Sequence, residues 1–513
     1  MKMVKSLLLG SAAGLMAVAG AQAADLPVKA APVEYVKICS LYGAGFYYIP
    51  GTDTCVKIGG WVRFEAVTGA ENPSNTPFYG SLAGTQNTRL WTSMDDIAYR
   101  ARATISMDTR AQTEWGTVRT YMNIGWTAQN KIGLVDRGFG GPTLYTNRAF
   151  IQWAGFTFGR AQSFYDLIPQ SSFMYWNAPS HDTGDQATLL AAYTTQWGNG
   201  ISTTLSAEYP RRAGVFNVDA PITGGVAFNG TSYNIGPFWY NDYVNIQVPD
   251  IVGNFRIDQA WGSFQVMSAL HQVGAAYYAT PCAVVGATIT GAQNCGHPDD
   301  KWGWAAGVGA VINMPFFARG RSRLAFRVNF SEGASVYVNN NGDPTWWGGS
   351  YSVGTGWLSD AILRDNVPGV QAGSLELTKA WGFVAAFEHF WTPSLRTSWY
   401  GGGYQVDHNA NATNYICSVT SLANNPNGAV AINNPLCDPD HAVWYVGSRT
   451  QWNIRPDFYM GVDVLYSTLD PAHNGAWASL GANGARPASL PNYKFEDQDN
   501  LAVRFRVQRD IVP

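Results

Sequence analysis

The most regular pattern in this chain has a period of two. From Tyr99 to Asp108 the odd positions Tyr99, Ala101, Ala103, Ile105 and Met107 are apolar, and the even positions Arg100, Arg102, Thr104, Ser106 and Asp108 are polar. Successive side chains of a strand point to opposite faces, so this stretch predicts a strand with one greasy and one charged face. A short turn over 109–114 leads to a return strand, in which Val118, Thr120, Met122 and Ile124 oppose Thr117, Arg119, Tyr121 and Asn123. The alternation recurs in Ile201–Tyr209, Leu324–Phe330, Val443–Asn453 and Leu501–Gln508. A soluble sandwich also alternates, but it does not need so many strands of this length with so few charges on the apolar face.

The connections sort into two kinds. Short turns fall near Ala154–Gly155, Gly198–Gly200, Ala260–Gly262, Thr392–Ser394 and Arg455–Asp457, and long loops such as Gly69–Asp96, Arg211–Pro249 and Ser331–Ala372 fall between them. Short and long alternate along the whole chain. This predicts an all-β fold, a transmembrane antiparallel β-barrel of about sixteen strands, with turns on one side and loops on the other.

The third long loop, Ala161–Gln186, has an unusual composition. Its 26 residues hold no Lys or Arg, but contain Asp166, Asp182, Asp185, His181 and the aromatics Phe164, Tyr165, Phe173, Tyr175 and Trp176. A loop of this length in a compact domain is functional or disordered, and the aromatics argue for order.

Composition supports a barrel in a membrane. Charged residues make up 13% of the chain and aromatics 14%, with 55 Gly and 20 Trp, whereas ordinary domains are about 25% charged. After the signal, no run of apolar residues is long enough for a membrane helix, which leaves a barrel open. The N-terminus predicts a secretory signal over residues 1–23. It has a charged start at Lys2 and Lys5, an apolar run over 7–19 and an A-x-A site at Ala21-Gln22-Ala23. Residues 24–55 then form an N-terminal periplasmic segment, and 56–513 form the barrel. With 33 basic and 36 acidic residues in the full chain, no basic excess suggests nucleic acid.

The six cysteines fall in local pairs, Cys39 with Cys55, Cys282 with Cys295 and Cys417 with Cys437. An even count in an exported chain predicts disulfides, and nearest-neighbour pairing is the simplest of the possible connectivities. Metal binding is the competing reading, but no CxxC occurs and the few His do not cluster with the Cys at ligand spacing. No GxSxG, HExxH or phosphate-cradling glycine loop is present. The chain is therefore read as a non-enzyme without cofactor or metal.

Several stretches resemble the general porins of alphaproteobacterial outer membranes (rhizobial and Brucella-type). They are YGAGFYYIPGTDTC at 42–55, DTRAQTEWGTVR at 108–119, GFTFGRAQSFYD at 155–166, DIVGNFRIDQAWG at 250–262, WTPSLRTSWY at 391–400 and WNIRPDFYMGVDVLY at 452–466. The resemblance covers essentially the mature chain. It implies a homotrimer of sixteen-stranded barrels, each with its own water-filled pore, and a third long loop folded into the lumen. Such porins usually end on an aromatic residue. This chain ends Arg509-Asp510-Ile511-Val512-Pro513, with the nearest aromatic at Phe505.

The function expected is passive diffusion of small hydrophilic solutes and ions across the outer membrane, with loop 161–186 as the constriction. Acidic candidates for the pore lining are Asp166, Asp182 and Asp185. Basic candidates on the strands are Arg63, Arg100, Arg102, Arg119 and Arg148. Acids facing bases across a lumen set up a transverse field that orients polar solutes. Outer-membrane lipids and lipopolysaccharide are the expected surroundings. A substrate-specific channel for sugar, phosphate or peptide is the alternative, and an extracellular sandwich or a barrel enzyme are the more distant ones.

Overall fold

In the computed structural model sixteen strands close into one antiparallel barrel. The structure describes residues 37–69, 97–129, 140–168, 172–177, 187–218, 226–228, 231–233, 240–241, 243–277, 282–284, 287–289, 296–315, 322–339, 345–347, 352–364, 374–420, 431–432, 436–479 and 493–511. The barrel strands are β1 (Cys55–Thr68), β2 (Ala98–Thr113), β3 (Gly116–Gln129), β4 (Gly140–Trp153), β5 (Phe156–Ala161), β6 (Thr188–Gly198), β7 (Ile201–Glu208) and β8 (Asp250–Gln259). They continue as β9 (Gly262–Val273), β10 (Lys301–Met314), β11 (Ser322–Glu332), β12 (Lys379–Phe390), β13 (Leu395–Asp407), β14 (His441–Arg455), β15 (Phe458–Asp470) and β16 (Gln498–Asp510). Each pairs with its chain neighbours, and β1 pairs with β16 from Trp61↔Asp510 to Thr68↔Val503. That last pairing removes the sheet edge that lipid could not satisfy.

The period of two in the sequence becomes inside and outside. On β2, Arg100, Thr104 and Asp108 are buried, while Tyr99 and Ile105 are exposed on the outer surface. On β16, Arg504, Arg506 and Gln508 point inward, and Leu501 and Phe505 point out. The outer face is thus apolar and the lumen polar, the reverse of a soluble barrel.

At the turn end five connections have two residues each, 114–115, 154–155, 199–200, 260–261 and 456–457, and the β12–β13 connection has four, 391–394. Ala154-Gly155 and Asn199-Gly200 both have positive φ at each position, the conformation that matches the twist of paired strands. At Gly200 a Cβ would overlap the Asp258 carbonyl oxygen, so only glycine fits. Trp115, Trp153, Trp197, Trp261, Trp391 and Trp452 stand exposed at or beside these turns. The indoles of Trp153, Trp197 and Trp391 donate to the hydroxyls of Thr113, Thr203 and Thr397. An exposed ring with its N–H satisfied suits the membrane interface.

At the opposite end the long connections knit together. Val215–Asn217 pairs with Tyr240–Asn241 and with Ala361–Leu363, which also pairs with Glu376–Leu377. Asp360 ties two loops, accepting from the Ala213 and Ser335 backbone N–H groups at 2.8 and 2.9 Å and from the Tyr243 hydroxyl at 3.3 Å. Helix α1 (Ala410–Thr420) is fastened by the Cys417–Cys437 disulfide, and its Ala412 and Ile416 pack with Trp357, Ile362 and Ala472. Cys39 and Cys55 form the second disulfide. Cys295 of the expected Cys282–Cys295 pair lies outside the described residues.

Candidate functional site: the barrel lumen

The loop that leaves β5 at Ala161 enters the barrel. Its aromatics are among the most deeply buried side chains in the protein, with Tyr165 and Trp176 at 0% exposure and Phe173 at 1%, and Met174 beside them is also at 0%. They join one apolar cluster with inward residues of the wall, including Val252, Met267, Val384, Tyr400, Tyr445 and Leu465. Burial of this much aromatic surface drives the loop against the wall.

Polar anchors fix where it lies. The loop starts beside β7, where the Glu208 carboxylate accepts from the Phe164 N–H at 3.0 Å. Asn254 on β8 donates to the Phe164 carbonyl at 2.6 Å, and Gln265 on β9 donates to the Asp166 carbonyl at 3.2 Å. Farther along, Arg449 on β14 donates to the Ser172 carbonyl at 2.9 Å. Asp463 on β15 accepts from the Tyr175 N–H at 2.6 Å, and Arg504 on β16 donates to the Tyr175 carbonyl at 2.7 Å. The guanidinium groups of Arg504 and Arg506 also lie 4.2 and 4.0 Å from the ring centres of Trp176 and Tyr175, a favourable face for a cation. The loop therefore runs along the inner wall from β7 to β16.

The wall formed by β1–β4 carries the basic candidates. Arg63 and Arg102 are direct cross-strand partners. Their guanidinium carbons lie 4.1 and 5.5 Å from the Trp61 ring centre, and Arg102 is 4.8 Å from that of Tyr145. Arg63 donates to Gln508 at 2.7 Å. Arg119 shares Asp108 with Arg110, each at 2.9 Å, and donates to Gln152 at 3.0 Å. Arg148 sits opposite Asn123 across the β3–β4 register. Arg119, Tyr121, Asn123, Arg148, Gln152 and Phe164 line an open cavity of about 450 Å³.

Two candidates are placed differently. The Arg100 side chain is 8% exposed and ion-pairs with Glu65, whose side chain is wholly buried. Asp166 is likewise buried, 3.3 Å from Arg211, which stacks on Tyr337. Arg63, Arg102, Arg119 and Arg148 are half-buried on the open wall. Asp182 and Asp185 lie outside the described residues. The structure also brings in groups that were not singled out from the sequence. Glu65 gathers Arg100, Arg504 and Arg506, and Glu388 gathers Arg323, Arg396 and Arg449. Their inward parity was readable from the alternation, but their partners across the barrel were not.

The closed barrel agrees with what comparison finds. Residues 25–503 match the Porin subfamily. The chain belongs to the Porin subfamily. Porin Omp2b of Brucella abortus (strain 2308) is 33% identical over 276 residues, 53% of this chain and 66% of that protein. Porin Omp2b of Brucella suis is 31% identical over 275 residues, 53% of this chain and 67% of its own length. The chain thus spans about two thirds of the length of these porin relatives. Among solved structures, the outer membrane channel DcaP of Acinetobacter baumannii superposes with a TM-score of 0.52 at 13% identity, covering 90% of this chain and 99% of that one. The likeness to DcaP supports the barrel fold of this porin and nothing finer.

Proposed function

We propose that this porin is a passive channel of the bacterial outer membrane, through which small hydrophilic solutes and ions diffuse down their own gradients. One observation carries the reading. The inserted loop is held by its backbone against β7–β9 and β14–β16, while the half-buried Arg63, Arg102, Arg119 and Arg148 stand on the β1–β4 wall. Asp182 and Asp185 follow the last anchored loop residues and supply the acidic side of a transverse field across the aqueous path. The channel works as a homotrimer among outer-membrane lipids and lipopolysaccharide. Residues 1–23 are removed as a signal, and 24–55 stay on the periplasmic side.

The test is Asp182→Asn with Asp185→Asn in a planar bilayer under a salt gradient. The reversal potential shifts towards anion preference if these carboxylates line the path. An unchanged reversal potential removes them from it.

A further inference from the structure

The segment before β1 is folded, and it is folded onto the lumen face. Lys37–Cys39 pairs with Phe46–Tyr48 as a hairpin, through the Ile38↔Tyr47 bridge and the Cys39 N–H bond to the Phe46 carbonyl at 3.0 Å. A second return pairs Tyr48 with Cys55. Cys39, Phe46 and Cys55 are buried together, with Tyr42 and Tyr48 against them.

The direction of this hairpin follows from parity. Cys55 and Lys57 have the parity of the inward residues Trp61, Arg63 and Glu65 on β1, and Arg110 that of Arg100 and Asp108 on β2. Cys55 is directly opposite Arg110 in the register. The Cys39–Cys55 disulfide therefore leads the hairpin inward, at the end of the barrel that carries the short turns. Three further contacts hold it there. The Arg110 guanidinium carbon lies 4.9 and 5.6 Å from the ring centres of Phe46 and Tyr42, and the Lys57 ammonium donates to the Ala44 carbonyl at 3.3 Å. Arg110 in turn grips Asp108, which also binds Arg119 of the open wall.

We propose that residues 37–54 form a periplasmic sill, a second constriction that narrows the exit of the pore below the basic wall. The disulfide and the Arg110 stack hold it in the path of solutes that have already passed the inserted loop. The sill also fixes Arg110 on Asp108, so its release frees a cation at the exit. This inference rests on the pore reading above.

The experiment measures single-channel conductance and the partitioning of sized polyethylene glycols added from each side, on the purified full-length channel. Two variants release the sill independently. Cys39→Ser with Cys55→Ser removes the tether, and Tyr42→Ala with Phe46→Ala removes the stack while keeping the disulfide. Both variants are expected to raise conductance and to admit larger polymers, with the change in polymer entry confined to the short-turn side. Proteolysis within 40–54 reports release directly. Unchanged conductance and polymer entry in variants whose segment is cleaved overturns the sill alone. A wild-type protein that conducts nothing overturns the pore reading and the sill with it.

Discussion

Arg504 donates to the backbone carbonyl of Tyr175 over 2.7 Å, although 329 residues separate the two in the chain. Arg506 donates to the same carbonyl at 3.1 Å. A backbone acceptor held by two cations at the last strand stops the inserted loop from swinging across the lumen. Charge-assisted bonds are about twice as strong as neutral ones. Arg504→Gln, which leaves Glu65 paired with Arg100 and Arg506, is expected to raise open-channel current noise and to lower the dissociation temperature of the oligomer. Asp463→Asn provides a second probe, since it weakens the bond to the Tyr175 N–H while conserving volume. Quiet, wild-type single-channel traces in both variants would show that these anchors do not control loop position.

The basic wall can be tested separately from the loop. Replacing Arg119 and Arg148 with Gln removes two positive charges from the cavity wall and leaves Arg110 on Asp108. The reversal potential in a salt gradient is expected to move towards cation preference, opposite in sign to the Asp182/Asp185 variant. The shift shrinks as ionic strength rises, because the Debye length falls from about 10 Å at 0.1 M to about 3 Å at 1 M. A salt-independent shift would point to altered pore shape.

Acid is expected to loosen the long loops. His473 has 0% exposure, between the rings of Trp357 and Phe495, and its Nδ1 accepts the Asp438 N–H at 3.0 Å. Burial holds its pKa down at about 3, and the positive field of His408 adds to this. An opened loop restores the ordinary imidazole value near 6.5. The open state therefore binds the proton first. The stabilisation of the closed cap is fully present above about pH 6.5 and is lost as pH falls from there towards 3. Each pKa unit is worth about 1.4 kcal/mol, so the linkage is large enough to open a loop locally without unfolding the barrel. The protection of the 472–476 amides against hydrogen exchange, after division by the intrinsic exchange rate at each pH, should fall between pH 6.5 and 4 in the wild type and lose that dependence in His473→Gln.

The Cys417–Cys437 bridge closes a loop with a sequence separation of 20. Chain-entropy arguments give a tether of this length about 3 kcal/mol. Here that stabilisation falls on the loops and not on the barrel, whose strands pair without it. Cys417→Ser with Cys437→Ser should make segment 408–440 cleavable by protease in intact outer membranes, with the heat stability of the barrel unchanged. Loss of the oligomer at lower temperature would mean that the loop cap also supports assembly.

What could be read from the sequence follows from the distance over which each pattern acts. Alternation is a nearest-neighbour property, so strand number and the inward face of Arg100, Arg504 and Arg506 were legible, whereas the first turn, expected over 109–114, falls at Glu114-Trp115 because β2 carries on to Thr113. Cys39 with Cys55 and Cys417 with Cys437 were legible as local pairs. The partners of inward charges were not, because a barrel brings β1, β2 and β16 together around Glu65 with no local signal. Asp166 read as a pore acid because it stands in a loop without cations. The structure pairs it with Arg211 from the next long loop, a contact that depends on how two connections pack. The aromatics of the loop argued for order in the sequence, and the structure buries Tyr165 and Trp176 completely.

The central claim is that solutes pass through an open lumen between the anchored loop and the β1–β4 wall. The most direct measurement is a bilayer recording of the purified wild-type channel, with sized polyethylene glycols added to a salt gradient. The structure predicts ohmic conductance that small polymers reduce by entering and large polymers leave untouched, with a reversal potential that moves in opposite directions in the Asp182/Asp185 and Arg119/Arg148 variants. Absence of conductance, or conductance and reversal potential indifferent to both pairs of substitutions, would contradict it.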